Sequence, residues 1–289
     1  MSKVLNVKDK IKSFNKKIYI SGDKSLSIRF VLLASQATGK SKAYNLLMSE
    51  DVLAAIDSIK KLGIRVSINK NNCEIYGNGV NGFKYRKNLT LNAKNSGTLG
   101  RLMLGLLIKS PQKIKLIGDK SLSKRDFSRV TMPLEKFGAK FYYKTKNKLP
   151  LSILGSQSVK NIKYYENKGS AQCKSSVMLA AVNALGTTFI KAKKSRNHTE
   201  LLFKYLQIPI KVKKTKKYDF IEIKKPTKIS AFNYEIPGDI SSSAFFMVLT
   251  TLSNNSKLLI KNVNINPSRT GIITILKKMG GKISLQNKR

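Results

Sequence analysis

Four short turns in this sequence are rich in Gly or Ser, and each leads into an apolar run. Three of the turns also carry Lys, Arg or Gln, side chains that can bind anions. The segments are GDKSLSIRFVLLAS from Gly22, NSGTLGRLMLGLLI from Asn95, GSAQCKSSVMLAAV from Gly169 and GDISSSAFFMVLTT from Gly238. Such a run predicts a helix that is buried on all sides. The N–H groups at its start bind phosphate or carboxylate, and Gly and Ser allow an anion to approach closely. The alternative is ordinary N-capping, because Ser, Asp and Asn are preferred at helix starts in general.

Arginine is rare in this chain but recurs at turns rich in Gly and Ser. Only nine of the 56 basic residues are arginine, yet Arg29, Arg101, Arg125 and Arg196 all lie in or beside such turns. A planar guanidinium group binds carboxylate or phosphate through two parallel hydrogen bonds. For Arg101, which lies inside an apolar run, a structural ion pair is an equally good interpretation. Taken together, the turns and the arginines predict a shared anion site.

The elements that must position these turns form a repeat of about 72 residues. An amphipathic helix is predicted after each turn segment, and these helices are predicted to end at Gly63, Gly138, Gln207 and Gly280. Alternating or β-rich runs predict strands at 17–20, 65–68, 114–117, 140–143, 151–154, 188–191 and 220–223. The sequence therefore predicts a mixed α/β fold in which three repeats form one lobe and the fourth begins another.

Composition excludes several classes of protein. The chain has 289 residues, of which 41% are hydrophobic, and no run approaches the roughly 20 apolar residues of a membrane span. The N-terminus has no apolar core or cleavage site of a secretory signal, so we expect a cytoplasmic protein without a membrane partner. Cys73, Cys173 and His198 lack the spacing of a disulfide framework or zinc site, and both cysteines are expected to be packed thiols. His198 is interpreted as a polar residue at a helix start.

The formal charge of +41 favours a polyanion partner when it is taken alone. A nucleic-acid surface usually concentrates arginine and aromatic residues in one segment, whereas here lysines are spread along the whole chain. We therefore expect no nucleic-acid partner. The positive field is expected to attract small phosphorylated or carboxylated substrates.

Six segments occur in an order that resembles the 5-enolpyruvylshikimate-3-phosphate synthases: SGDKSLSIR, LNAKNSGTLGRL, GDKSLSKRDFSRV, SAQCKSS, SRNHTE and EIPGDISSSAFF. The resemblance covers essentially the whole chain. It implies two pseudo-threefold lobes built from βαβαββ units, with buried helices whose N-termini face the cleft between the lobes. The implied reaction is attack by the 5-hydroxyl of shikimate 3-phosphate on C2 of phosphoenolpyruvate, protonation at C3 and loss of phosphate. The family implies no metal or organic cofactor, and the full-length protein is expected to be a monomer.

The resemblance also implies roles for individual residues. Lys24 matches the lysine that touches both substrates and is the candidate catalytic residue. The shikimate 3-phosphate site is implied to contain Lys24, Ser25, Arg29, Ser170, Ala171, Gln172, Ser195 and Arg196. The phosphoenolpyruvate site is implied to contain Lys24, Asn95, Gly97, Arg125 and Gln172. Asp239 is expected to act as a hinge or a helix cap.

The resemblance further predicts how the chain divides. Residues 21–234 are expected to form a complete first lobe, and residues 1–20 and 235–289 a partial second lobe with exposed surface. Six repeats would need about 430 residues. We therefore expect the C-terminal catalytic Asp, a Glu and two arginines of the family to lie outside this chain, and the chain alone to be nearly inactive.

Three alternatives remain open from the sequence. A UDP-N-acetylglucosamine enolpyruvyl transferase would share the fold but would carry a reactive loop cysteine. A nucleic-acid-binding protein would account for the charge, and RNA-terminal phosphate cyclases have a distantly similar fold. A third alternative is a non-catalytic chain that still binds shikimate 3-phosphate.

Overall fold

A computed structural model of the protein describes residues 11–286. Its helices and strands follow in chain order as β1 (Asn15–Tyr19), α1 (Lys24–Ser35), β2 (Thr38–Tyr44), α2 (Glu50–Lys61), β3 (Arg65–Asn69), β4 (Asn72–Asn78), β5 (Thr90–Asn92), α3 (Gly97–Leu106), β6 (Ile114–Ile117), α4 (Lys120–Ser123), α5 (Ser128–Lys136), β7 (Lys140–Tyr143), β8 (Leu151–Leu154), β9 (Lys163–Glu166), α6 (Ala171–Ala181), β10 (Thr187–Lys193), α7 (His198–Tyr205), β11 (Ile210–Lys214), β12 (Tyr218–Lys224), β13 (Asn233–Glu235), α8 (Ile240–Leu252), β14 (Lys257–Lys261) and α9 (Gly271–Lys278). The predicted strands are all present, with boundaries shifted by at most a few residues.

The described chain divides into two compact units. The larger unit is Lys24–Ile236, and the smaller unit contains the described residues up to Asp23 and from Pro237 onward. Every residue implied for substrate binding lies in the larger unit. The assignment of residues 21–234 and of the flanking segments to the two lobes of the family stays a prediction.

The larger unit contains the same four-stranded sheet three times. The strand orders are β13-β2-β4-β3, β5-β6-β8-β7 and β9-β10-β12-β11. In each sheet the leading strand runs parallel to the second strand, and the remaining pairs are antiparallel. Because β13 leads the first sheet and follows the third repeat in sequence, the chain closes the larger unit on itself. This arrangement is the βαβαββ repeat that the resemblance implied.

The helices α1, α3 and α6, here called the inner helices, form the core of the larger unit. From Leu26 onward every residue of α1 is buried, and α3 and α6 are buried almost throughout. The outer helices α2, α5 and α7 bury one face each, as their apolar spacing predicted. The chain reverses after the second helix of each repeat at a residue with positive φ, namely Gly63, Gly138, Gln207 or Gly280, which confirms the predicted ends.

Close packing of α3 on α6 depends on a missing side chain. A Cβ atom added at Gly105 would lie 2.2 Å from the backbone oxygen of Ser176, a distance that atoms in proteins do not adopt. Gly100 lies on the same helix, but a Cβ atom there would meet the Phe127 ring at 3.5 Å, an ordinary contact. A methyl group therefore fits at position 100 but not at position 105 unless neighbouring atoms move.

The smaller unit repeats part of the same pattern. Strand β1 pairs in parallel with β14, as the leading strands of the larger unit pair with their second strands. Asp239 caps α8 by accepting a hydrogen bond from the Ser241 N–H at 2.8 Å, which agrees with the predicted cap role. Within the described residues, β14 and α9 are the elements that pack closely against α8.

The prediction that each apolar helix is buried is wrong for α8. Only Ile240 and Ser243 are buried in α8, and Phe245 and Leu252 are each 79% exposed. The physical reason is that too few described elements cover this helix. The exposed apolar surface expected on this part of the chain is therefore present.

Gly105→Ala should lower the free energy of unfolding by about 2 kcal/mol or more, because the new methyl group must push α3 away from α6. Gly100→Ala is the matched control, since it replaces glycine in the same helix without a close contact. We expect it to be neutral or to stabilise by up to about 1 kcal/mol through helix propensity. Urea denaturation followed by circular dichroism measures both, and equal effects would contradict the packing argument.

Candidate functional site

The three inner helices run parallel, and their N-termini lie at the same end of the larger unit. Gln172 at the second position of α6 donates its Nε2–H to Oγ1 of Thr98 at the second position of α3, at 2.9 Å. One turn further along, the Ser176 hydroxyl donates to the Arg101 carbonyl oxygen at 2.8 Å. Arg29 of α1 donates to Ser175 of α6 at 3.0 Å, and α1 takes the same place in its β-α-β repeat as α3 and α6 take in theirs. The predicted turns of these three helices are thus brought together.

The electrostatics of this end favour an anion. The first turns of the inner helices contain no Asp or Glu, whereas the outer helices α2 and α7 have acidic residues in theirs. Each helix N-terminus carries about half a positive charge, and acidic side chains in the first turn usually offset it. Three parallel helices without them concentrate positive potential at one place, which phosphate or carboxylate groups can neutralise.

Arg29 is the most firmly held of the predicted binding residues. Only 5% of the surface of Arg29 is exposed to solvent. Its Nε donates to Thr199 Oγ1 at 2.8 Å, its Nη2 to Ser175 Oγ at 3.0 Å and its Nη1 to the Ser25 carbonyl oxygen at 3.0 Å. These three acceptors are uncharged oxygens, and together they fix the orientation of the guanidinium group.

Gln172 is held at both ends of its amide group. Its Oε1 accepts a hydrogen bond from Arg101 Nη1 at 3.0 Å, while its Nε2 donates to Thr98. Arg101 also donates to the Gly97 carbonyl oxygen at 3.2 Å and lies over the Phe127 ring at 5.0 Å from its centroid. Arg101 therefore helps to fix the orientation of the Gln172 amide group. The sequence did not predict this contact. Burial is the main cause that lowers the pKa of Arg101.

Two guanidinium groups lie over Gly97 at the start of α3. A Cβ atom added there would meet Nη1 of Arg101 at 2.7 Å and Nη1 of Arg125 at 3.0 Å. Gly97 and Arg125, both predicted for the phosphoenolpyruvate side, are thus neighbours. The absence of a side chain at Gly97 allows both cationic groups to lie close to the start of α3.

Lys24 and Asn95 each have an acidic partner that the sequence did not reveal. Lys24 Nζ lies 3.1 Å from Oδ2 of Asp51, at the start of α2, and this pair is largely exposed. Asn95 Nδ2 donates to Oδ2 of Asp119 at 2.5 Å. The pKa of Asp119 is lowered, mainly by a hydrogen bond from the Leu122 N–H and then by the Asn95 amide. An exposed ion pair contributes only about 0 to 1 kcal/mol, so an anionic ligand can displace Asp51 from Lys24.

The turns at Ser170 and Ser195 lie side by side. A Cβ atom at Gly169 would lie 3.3 Å from the Lys194 carbonyl oxygen. The Ser170 hydroxyl oxygen accepts from the Cys173 N–H at 3.3 Å and so caps α6, which leaves its proton to donate elsewhere. The buried Ser195 hydroxyl has no hydrogen-bond partner among the described residues. Two hydroxyl donors thus lie in adjacent turns, with Ala171 and exposed Arg196 next in sequence.

The cysteines and the histidine have the structural positions that the sequence predicted. Cys73 on β4 and Cys173 on α6 are both buried free thiols. Burial raises the pKa of Cys73 to about 12. His198 is the first residue of α7 and is 2% exposed. Within residues 11–286, no group of three or more His, Cys, Asp or Glu side chains could hold a metal ion.

Other features of the described chain bear on the alternatives. No helix in the described part of the sequence has both the length and the apolar character needed to cross a bilayer. Residues that sequence reasoning missed are Asp51, Thr98, Ser175 and Thr199, which contact predicted binding residues. Ser175 and Thr199 are part of the motifs SAQCKSS and SRNHTE, so the motifs contained the signal although the contacts could not be read from them.

Comparisons with known proteins agree on one family. The family model EPSP synthase (3-phosphoshikimate 1-carboxyvinyltransferase) matches residues 8–289. The 3-phosphoshikimate 1-carboxyvinyltransferase of Bacillus subtilis (strain 168) is 38% identical over 281 residues, which are 96% of this chain and 64% of the relative. The protein of the same name from Ruthia magnifica subsp. Calyptogena magnifica is 42% identical over 272 residues, 93% of this chain and 61% of the relative. The chain thus spans less than two thirds of the length of these relatives.

A solved structure gives the same result for the fold. The 2.37 Å structure of EPSP synthase from Acinetobacter baumannii superposes with a TM-score of 0.88 at 34% sequence identity. The match covers 96% of this chain and 62% of that chain. The predicted mixed α/β fold of this class is confirmed.

We predict that neither thiol reacts readily in the folded protein. Because the pKa of Cys73 is about 12, only about one Cys73 side chain in 10⁴ is a thiolate at pH 8, and burial also denies reagents access. Labelling with a disulfide reagent at pH 8 should be at least about 100-fold slower than in guanidinium chloride. Ser230→Cys, an exposed position, is the control and should label rapidly. Fast labelling of the unmodified folded chain would contradict the prediction and favour a transferase with a reactive cysteine.

Proposed function

Because this chain belongs to the EPSP synthase (3-phosphoshikimate 1-carboxyvinyltransferase) family, we propose that the protein transfers the enolpyruvyl group of phosphoenolpyruvate to the 5-hydroxyl of shikimate 3-phosphate. The hydroxyl oxygen attacks C2 of phosphoenolpyruvate while C3 takes up a proton. Loss of phosphate and of one proton from C3 then converts the tetrahedral intermediate into the enol ether product. Both substrates carry phosphate and carboxylate groups, so the binding site must supply several positive groups and hydrogen-bond donors.

The observation that carries the proposal is the common end of the three inner helices. It presents three helix N-termini whose first turns have no acidic residues, and it holds Arg29 and Gln172 in fixed orientations. Multiple preorganised donors suit a substrate that is anionic at more than one position. Nothing in this arrangement requires a metal ion, and the family implies no cofactor.

We assign shikimate 3-phosphate to the side of this end formed by α1 and α6. In this assignment Arg29 and Ser25 hold the shikimate, and the adjacent turns at Ser170 and Ser195 donate hydroxyl groups to its phosphate. Ala171, Gln172 and Arg196 complete the shikimate 3-phosphate site. The contact between Gly169 and Lys194 supports this assignment, because it brings both hydroxyl donors to one place.

We assign phosphoenolpyruvate to the start of α3. Arg125 supplies a guanidinium group there, and the missing side chain at Gly97 lets that group lie close to the helix start. Asn95 borders the same turn, and Gln172 lies between the two substrate sites because it bonds across to α3. Lys24 is assigned to both substrates, and its exposed pair with Asp51 must open when they bind.

The two alternative functions predict different properties of the chain. A UDP-N-acetylglucosamine enolpyruvyl transferase with a reactive cysteine is disfavoured because both thiols are buried. A nucleic-acid-binding function is supported by the charge of +41 and by the distant similarity of fold to RNA-terminal phosphate cyclases. Nucleic-acid affinity would fall steeply with salt and would not respond to shikimate 3-phosphate.

Isothermal titration of the chain with shikimate 3-phosphate tests the proposed site. Arg29→Ala should weaken binding at least about 10-fold, because a charge-assisted hydrogen bond contributes roughly 1.5 to 3 kcal/mol. Gln172→Ala should weaken it as well, since the amide bridges α6 and α3. Phosphate release with phosphoenolpyruvate is measured on the same samples.

Arg65→Ala provides the matched control for these titrations. Arg65 is exposed and stacks on the Tyr76 ring at 3.8 Å, so its loss changes the net charge by the same amount without touching the helix starts. We expect its affinity to stay within about twofold of the unsubstituted chain. Equal losses for Arg29→Ala and Arg65→Ala would indicate a general effect of charge. Absence of binding by the folded chain would refute the proposed site.

A further inference from the structure

A buried ion pair joins α6 to α7 next to the predicted binding residues. Lys174 Nζ lies 2.5 Å from Glu200 Oε1, and the two side chains are 0% and 5% exposed. Lys174 lies in the middle of an inner helix whose neighbouring residues are buried and mostly apolar or small. Removing two charges from water is costly, and well-packed apolar side chains usually serve stability equally well. The pair therefore calls for a role other than stability.

The residues adjacent to this pair hold Arg29. Ser175 follows Lys174 on α6, and Thr199 precedes Glu200 on α7. Their hydroxyl oxygens lie 2.7 Å apart, and both accept hydrogen bonds from the Arg29 guanidinium. The two helices are thus linked by two successive contacts, one ionic and one between hydroxyl groups.

The ion pair between Lys174 and Glu200 places two opposite charges in the interior. Lys174 and Glu200 neutralise each other, so they add no net charge to the interior. Arg29 donates to the Ser25 carbonyl oxygen and to the hydroxyl oxygens of Ser175 and Thr199, and the last two residues are adjacent in sequence to the ion pair.

We propose that Lys174 and Glu200 are positioning residues for shikimate 3-phosphate, an inference that rests on the proposed function. The ion pair fixes α7 against α6, so that Ser175 and Thr199 together hold Arg29 in its binding orientation. Neither charged residue touches the substrate itself.

Two sets of variants separate this role from simple stability. Thr199→Val keeps the shape of the side chain but removes the acceptor for Arg29 Nε, and Thr199→Ser restores a hydroxyl group. Lys174→Met combined with Glu200→Met replaces the ion pair by apolar side chains of similar length. Thr188→Val is the matched control, because Thr188 is equally buried and its hydroxyl has no hydrogen-bond partner among the described residues.

Each variant is titrated with shikimate 3-phosphate, and its thermal midpoint is measured separately. We expect Thr199→Val to weaken binding about 10-fold, the loss of one charge-assisted hydrogen bond. Thr199→Ser should stay within about threefold of the unsubstituted chain, and Thr188→Val should be unchanged. The double methionine variant should keep or raise its thermal midpoint and yet weaken binding at least about threefold.

The outcomes distinguish this inference from the proposed function. If the unsubstituted chain binds, Arg29→Ala does not, and Thr199→Val and the double variant bind like the unsubstituted chain, the positioning role is refuted and the function stands. If the unsubstituted folded chain does not bind shikimate 3-phosphate, the proposed function fails and the positioning role fails with it. If the double variant does not fold, the comparison of Thr199→Val with Thr199→Ser and Thr188→Val decides the question.

Discussion

Parallel packing of three buried helices is the constraint on which the rest of the larger unit depends. The helices can approach closely only where side chains are small, as at Gly105 against the Ser176 backbone. Their dipoles then point the same way, so positive potential accumulates at one end. Three like-oriented helix dipoles repel one another, and no acidic residue in their first turns relieves this repulsion. A ligand with several negative charges can do so, and the predicted binding residues lie at that end of the helices.

The closure of the repeats explains why these helices are parallel. Each repeat places a leading strand, an inner helix and a second strand in a parallel β-α-β arrangement, and such crossovers have one strongly preferred hand. Three repeats of the same hand must orient their inner helices alike. The first repeat takes its leading strand from β13, which follows the third repeat. The order of the elements along the chain therefore fixes the end at which the turns predicted to bind anions meet.

Sequence reasoning succeeded where the signal was local. The helix ends at Gly63, Gly138 and Gly280 follow from the need for positive φ, and even Gln207 adopts it because its position in the repeat demands it. The predicted ranges omitted β2, β4, β5, β9, β11, β13 and β14. Of these, the three-residue strands β5 and β13 are defined by pairing with distant strands. Burial of α8 was mispredicted because apolar composition does not reveal whether a covering element is present. The partners of Arg29 were missed because they lie 146 and 170 residues away in sequence.

The charged groups of this chain fall into two sets, the many surface lysines and the few oriented groups at the helix starts. The lysines that produce most of the +41 charge are spread over the surface, and at physiological ionic strength their individual fields are screened beyond about 8 Å. Arg29 and the helix starts are buried or partly buried, where screening is weaker and a fixed orientation matters more. A gain or loss of surface lysines therefore changes the long-range attraction of anions but not the geometry that recognises one. Under the proposed function, recognition depends on a few oriented groups. The orientation of Arg29 among them depends on hydroxyl groups that the folded packing of α1, α6 and α7 brings together.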